Sequence, residues 1–225
     1  MASPFHLLPP FASRAMPNVI AVWRRPSKDG PHVPLVVVLH GRGADEHDLL
    51  PVIERLPPRF AYVSLRALVD VDGGGFTWFE NRGIARPIGK SLRASVTTLR
   101  AWLDASAPPA ARRPCYLVGF SAGMMMAGAL LLSDPARFAG AVLLSGALPL
   151  ESGIAAEPGR FQGRPIFYAR GSLDDVIPPD LVQRSEAYLR DRSGAELTVR
   201  QYAHGHAITL PEIRDIAAWL DERGS

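Results

Sequence analysis

Four short runs of consecutive apolar residues, rich in β-branched and aromatic side chains, punctuate the chain: residues 35–40 (LVVVLH), 60–65 (FAYVSL), 115–120 (CYLVGF) and 140–146 (GAVLLSG). They lack the alternation of a half-exposed strand, so each is expected to be a strand buried on both faces. Residues 164–170 (RPIFYAR) and 196–203 (ELTVRQYA) complete the set, and 18–25 (NVIAVWRR) reads as a short strand at a sheet edge. The proline-bearing stretch 26–34 reads as a turn, and residues 1–16 as an irregular lead-in.

Between these runs the apolar spacing changes to three and four. Ile88, Leu92, Val96, Leu99 and Leu103 fall on one stripe of a helix within 87–106. Residues 124–132 are apolar nearly all round, which predicts a helix buried against the sheet. Leu181, Ser185, Tyr188 and Leu189 mark a further helix, and Ile213, Ile216, Ala217 and Leu220 the last. Buried strands alternating with helices imply right-handed crossovers and a mostly parallel sheet covered on both faces, an α/β fold.

With 225 residues the chain suits one domain with a single large core, spanning 1–225. The apolar fraction of 47% and charged fraction of 21% exclude disorder and fibrous repeats. A net charge of only +3, carried by scattered arginines, argues against nucleic acid as a partner. Cys115 is the only cysteine, so neither an intramolecular disulfide nor a thiolate metal cluster can form. The first residues have no basic region ahead of their apolar ones, and Pro4, Pro9, Pro10 and Pro17 interrupt any signal helix. No apolar segment approaches the roughly 20 residues needed to span a bilayer. A cytoplasmic protein without stable membrane insertion is expected, and a homodimer is compatible with these features.

One hydroxyl interrupts the buried stretch 115–131, in Gly119-Phe120-Ser121-Ala122-Gly123. A strand that turns sharply into a helix brings the two so close that the positions two before and two after the serine must be small. The serine then stands exposed at the carboxyl edge of the sheet, where open α/β sheets gather their functional groups. Ser145, in LLSGALP, also ends a strand but has Leu143 where the first glycine should be, and reads as a strand-end residue.

A serine hydroxyl is a weak nucleophile unless an imidazole accepts its proton and a carboxylate orients the imidazole. The turn GSLDDVIPP after strand 164–170 holds two acids, and HGHAIT after strand 196–203 holds two histidines. Asp174 lies closer to its strand end than Asp175 and is preferred; Asp175 faces solvent or helps begin the next helix. His206, after Gly205 and leading into the last helix, is preferred over His204, which reads as a polar cap on the strand. His6 and His32 read as surface residues. His40 and His47 lack the i, i+4 spacing of a helical zinc pair, so no metal site is expected. In LVVVLHGRGADEHDL, Gly41 and Gly43 free the backbone just after a buried strand. The N–H of Arg42 can then point at a developing oxyanion beside the N–H of Ala122.

Taken together, LHGRGADEHDL, FTWFENRG, GFSAG, GSLDDVIP and GHAIT resemble, in order, the motifs of the phospholipase/carboxylesterase group of α/β-hydrolases, which includes bacterial carboxylesterases and acyl-protein thioesterases. The resemblance runs from about residue 35 to the C-terminus. It implies an α/β-hydrolase fold, a triad of Ser121, Asp174 and His206, and an oxyanion hole from the N–H groups of Arg42 and Ala122. The chain departs from the family pattern at Ala122 (commonly glutamine), Arg42 (usually apolar), Arg170 (usually histidine) and Glu80 (usually aspartate). A backbone N–H survives each replacement, so the departures bear on pocket polarity and substrate choice. Trp78 is as readily a core residue as a pocket wall, and Met124 to Met126 stand equally open.

The expected activity is hydrolysis of small-molecule esters with short or medium acyl chains, or of a lysophospholipid or acyl thioester, with no cofactor. The chain has little room for a large cap, so the groove should be open, edged by residues 70–87 and 151–164. A perhydrolase or peptidase on the same fold, and a non-catalytic receptor for a small ligand, are the alternatives.

Overall fold

The apolar runs become the middle of one sheet. The computed structural model describes residues 5–7, 19–27, 30, 32–106 and 113–223. Within them the main strands are β1 (Phe5–Leu7), β2 (Ala21–Arg24), β3 (Leu35–Leu39), β4 (Ala61–Leu65), β7 (Cys115–Phe120), β8 (Gly140–Leu144), β9 (Pro165–Gly171) and β10 (Glu196–Tyr202). They lie in the order β1-β2-β4-β3-β7-β8-β9-β10. From β4 to β10 every pairing is parallel, while β1 and β2 join antiparallel. Two short strands, β5 (Val69–Asp70) and β6 (Phe76–Thr77), form a separate hairpin.

Helices α2 (Gly89–Ser106) and α3 (Ala122–Ser133) cover one face; α1 (Leu50–Ile53) and α5 (Leu210–Asp221) cover the other. Along β3, Leu35, Val37 and Leu39 enter the first layer, and Val36 and Val38 the second. Burial of each such side chain stabilises the fold by about 1.5–3 kcal/mol. Both faces therefore select apolar residues, which is the physical origin of the missing alternation. In α2 the buried positions are Leu92, Ser95, Val96, Leu99, Trp102 and Leu103, while Ile88 lies outside the helix and is exposed. The stretch α3 is buried at all eleven positions from Ala122 to Leu132. The remaining helix, α4 (Pro179–Ala187), runs into a π-helical turn, Tyr188–Arg192.

Three features differ from the sequence expectation. The lead-in contains strand β1, paired with β2, so β2 is an interior strand and not an edge. On this strand Arg24 donates to the Ile53 carbonyl at 2.7 Å, at the C-terminal end of α1 (Leu50–Ile53). That helix and the β5–β6 hairpin are too short to leave a periodic signal. The prolines at 9, 10 and 17, and the His6 side chain, lie outside the described residues; His32 is exposed.

Candidate active site

A single residue, Ser121, joins β7 to α3. Its backbone has φ 56° and ψ −117°, a region that costs a non-glycine residue about 1–3 kcal/mol. The strain is held by the Ser121 N–H donating to Leu144 O at 2.9 Å and by the burial of α3. A Cβ on Gly119 would lie 2.3 Å from Gly123 O, and one on Gly123 only 2.0 Å from Leu39 O. Both positions therefore require glycine, for the reason the sequence suggested.

The acid and base arrive on neighbouring strands. β9 and β10 are parallel with Gly171 opposite Tyr202, and their exit loops continue the contact. Ser172 N–H donates to Tyr202 O at 2.7 Å and Leu173 N–H to His204 O at 3.0 Å. A Cβ on Gly171 would lie 2.1 Å from His204 O, so the two loops meet backbone to backbone. Asp174 Oδ2 lies 2.9 Å from His206 Nδ1, and Asp174 Oδ1 accepts the Val176 N–H at 3.0 Å. The other imidazole nitrogen, Nε2, is 2.9 Å from Ser121 Oγ. With the carboxylate on Nδ1, the partners assign the proton to Nδ1 and the lone pair to Nε2.

From β7 to β10 is three strand spacings, roughly 14 Å, so the His206 loop has to reach back over β8. The exit of β8, Ser145-Gly146-Ala147, packs closely against the Ser121 turn. A Cβ on Gly146 would lie 2.7 Å from Ser121 O. The Phe120 ring packs against that of His206, with centroids 5.0 Å apart and planes tilted by 37°.

The alternatives separate cleanly. Asp175 is exposed. His204 places Nδ1 2.8 Å from Gly205 O and Nε2 3.4 Å from the buried Glu212 carboxylate, at the start of α5. Ser145 is buried with φ 43° and has no imidazole bonded to its hydroxyl among the described residues.

Neither the Arg42 nor the Ala122 N–H has a protein acceptor among the described residues, and both residues line the cavity that holds Ser121. The loop carrying Arg42 is fastened on several sides. Gly43, with φ 83°, donates to Phe76 O at 2.8 Å, and Phe76 returns a bond to Ala44 O at 2.9 Å. Buried His40 places Nδ1 2.6 Å from Gly41 O, and its Nε2 accepts the Ala67 N–H at 3.1 Å. Burial lowers its pKa, only partly offset by the Gly41 carbonyl, which favours the neutral ring that these two bonds need. Trp78 donates to His40 O at 2.8 Å.

His40, whose spacing from His47 suits no helical zinc pair, instead holds this loop through its ring. Its signal was its place between a buried strand and a glycine. Arg66 and Glu46 brace the same loop through two bonds of 2.6 Å. Burial alone would raise the Glu46 carboxyl, but the Arg66 bonds outweigh it and hold the group below its ordinary value. Asp45, Glu46 and His47 bring possible donor atoms within 4.8 Å of one another; with Glu46 already held by Arg66, the cluster reads as an ion-pair brace.

The Ser121 cavity has a volume of about 550 Å³. One wall comes from Phe79, Asn81, Ile84 and Ala85, within the expected 70–87 loop, and the floor from Met125. Its other wall is Val176 and Ile177, not residues 151–164; of that segment, Glu151 borders only a neighbouring cavity. Trp78 is fully buried in the core, as are Met124 and Met126. The departure at Arg170 faces elsewhere, paired with Glu186 at 2.9 Å, and Glu80 is exposed.

A serine in a strained strand-to-helix turn, with an aspartate and a histidine delivered by later strands of a mostly parallel sheet, defines an α/β-hydrolase fold. The chain belongs to the phospholipase/carboxylesterase family, whose profile matches residues 25–223, and is a hydrolase of that family. It is similar to the Bacillus subtilis (strain 168) protein MhqD, whose name goes no further than hydrolase, at 28% identity over 190 residues, 84% of this chain and 92% of that one. Among solved structures it resembles the Bacillus cereus carboxylesterase (24% identity, TM-score 0.79, 91% of this chain and 94% of that one). It also resembles Zea mays acyl-protein thioesterase 2 (22%, TM-score 0.74, 91% and 99%). Among the described residues no helix is long and apolar enough to cross a membrane.

Proposed function

We propose that this protein is a serine carboxylesterase that cleaves short- to medium-chain esters through an acyl-enzyme. The observation that carries the reading is His206 bridging Ser121 Oγ and the Asp174 carboxylate at 2.9 Å on each side. Ser121 Oγ attacks the ester carbonyl as its proton passes to His206 Nε2. Asp174 keeps the ring in the tautomer that can accept it and stabilises the imidazolium. The carbonyl oxygen becomes an oxyanion between the N–H groups of Arg42 and Ala122, where each donor is worth about 3 kcal/mol. Collapse breaks the C–O bond, and His206 returns the proton to the departing alcohol. Water then attacks the acyl-enzyme by the same route, giving its proton to His206, and the carboxylic acid leaves with Ser121 restored.

The substrate range follows from the cavity. Its volume, about 550 Å³, is within the range of small-molecule sites, about 300–1,000 Å³, and the walls are mostly apolar. A fluorophosphonate probe together with a graded series of nitrophenyl esters tests the reading. Labelling of the native enzyme that is abolished in Ser121→Ala, with a turnover maximum at short or medium acyl length, is expected. An unlabelled native enzyme, or labelling that survives Ser121→Ala, overturns the nucleophile. Thioester, lysophospholipid, peptide and peroxide arms separate the related activities, and saturable ester binding without cleavage would mark a receptor.

A further inference from the structure

Ala85 and Met125 border two cavities at once: the one that holds Ser121 and a second of about 260 Å³. Among the described residues the first has a single permanently charged side chain in its wall, Arg42, and no acid. Among the same residues the second is bordered by three arginines, Arg82, Arg86 and Arg184, against one acid, Glu151. Arg86 donates to both oxygens of Asp180, at 3.2 and 3.0 Å, while Arg184 bonds Asp180 and Glu151. Those two arginines therefore have their counter-charges within the protein. Arg42 and Arg82 have no acceptor for their guanidinium groups among the described residues.

An exposed arginine is ordinarily satisfied by water, and one alone would mean little. Here the uncompensated charge has one sign and is concentrated along two adjoining cavities that share Ala85 and Met125, and low-dielectric walls strengthen its field over the space a ligand would fill. Apart from its arginines and Glu151, the second cavity is lined by Ala85, Met125, Leu148, Leu150 and Leu181 with two prolines, apolar surface that suits a short methylene spacer. A guanidinium offers paired donors that match a carboxylate or phosphate.

We propose that the ester served by this site carries an anionic group, a carboxylate or a phosphate, which sits in the second cavity against Arg82 while the ester bond lies at Ser121. This rests on the esterase reading given above. The anion has two sources, a carboxylate-ended acyl chain or a phosphate on the alcohol.

Matched pairs of esters test it. In one arm the mono-4-nitrophenyl ester of suberic acid is compared with 4-nitrophenyl octanoate; in the other, octanoyl glycerol 3-phosphate with octanoyl glycerol. In at least one arm the anionic member should have a kcat/KM about tenfold above its neutral partner, the effect expected of one charge-assisted hydrogen bond. The preference should shrink as ionic strength rises, a readout on the native enzyme that requires no variant. Arg82→Gln should reduce it through KM, and Arg82→Lys should retain part of it. The arm that responds identifies the source of the anion. A neutral preference in both arms, or one insensitive to salt, overturns the inference while the esterase reading stands. An anionic preference that survives Arg82→Gln undiminished removes Arg82 from the site. Absence of turnover and of fluorophosphonate labelling in all cases removes the esterase reading and this inference with it.

Discussion

His40 Nδ1 lies 2.6 Å from the carbonyl oxygen of Gly41, and that carbonyl shares one planar peptide with the Arg42 N–H. Holding the oxygen fixes the direction of the hydrogen at the opposite corner of the plane. The imidazole thereby sets the aim of a proposed oxyanion donor without touching the substrate. His40→Phe leaves both Gly41 O and the Ala67 N–H short of this partner. Its kcat should fall about tenfold to a hundredfold, part of the loss seen when such a donor is removed outright. KM should change little, and the fluorophosphonate labelling rate should drop with kcat while the circular dichroism spectrum stays native.

Asp174 and Asp175 are adjacent in sequence but differ in partner. Asp174→Asn should lower kcat by about 10⁴, because an amide holds the imidazole in the wrong tautomer. Asp175→Asn, on an exposed side chain, should remain within about twofold of the native rate on a nitrophenyl ester, since it has no bond to the ring. Equal losses in the two variants would reverse the assignment.

The elbow glycines should be intolerant in a way the oxyanion-loop glycine is not. At Gly123 a methyl group would lie 2.0 Å from Leu39 O, backbone in the centre of the sheet. Gly123→Ala should destabilise the fold by more than about 4 kcal/mol, visible as lost soluble yield or an early denaturation midpoint. Gly43 has a positive φ but nothing within 4 Å of an added Cβ. Gly43→Ala should cost only the backbone strain, about 1–2 kcal/mol.

Glu46 gives a pH signature. Its carboxyl is held below its ordinary value in the fold, so its contribution to stability is complete above the unfolded-state value of about 4.3. It is lost as the pH falls through the lower, folded-state value. Glu46→Gln should destabilise by about 1.5–3 kcal/mol near neutrality, since the Arg66 bonds lose their charge assistance. Its denaturation free energy should also vary less with pH across the acid range than that of the native protein. An unchanged slope there would assign the acid sensitivity to other carboxylates.

The sequence by itself determined the layers and the elbow, because those depend on neighbours a few residues apart. Unbroken apolar runs are what two covered faces select. The spacing of Leu92, Val96, Leu99 and Leu103 is what one helix face selects, and Gly119 and Gly123 are what a strand folding directly onto its own helix requires. Even the preference for Asp174 over Asp175 was local, since it rested on distance from the end of β9.

What only the tertiary structure decided depends on which strands become neighbours. No period in the chain records that β10 ends three strands from β7, or that His206 nevertheless reaches Ser121. Nor does it record that β1 covers β2, that Val176 and Ile177 replace residues 151–164 as a cavity wall, or that Trp78 turns inward to bond His40 O. His40 itself is the sharpest case. Its residue type and place are plain in the sequence, but its role arises from two backbone groups, one next to it and one 27 residues away, that meet on its ring only when the chain has folded.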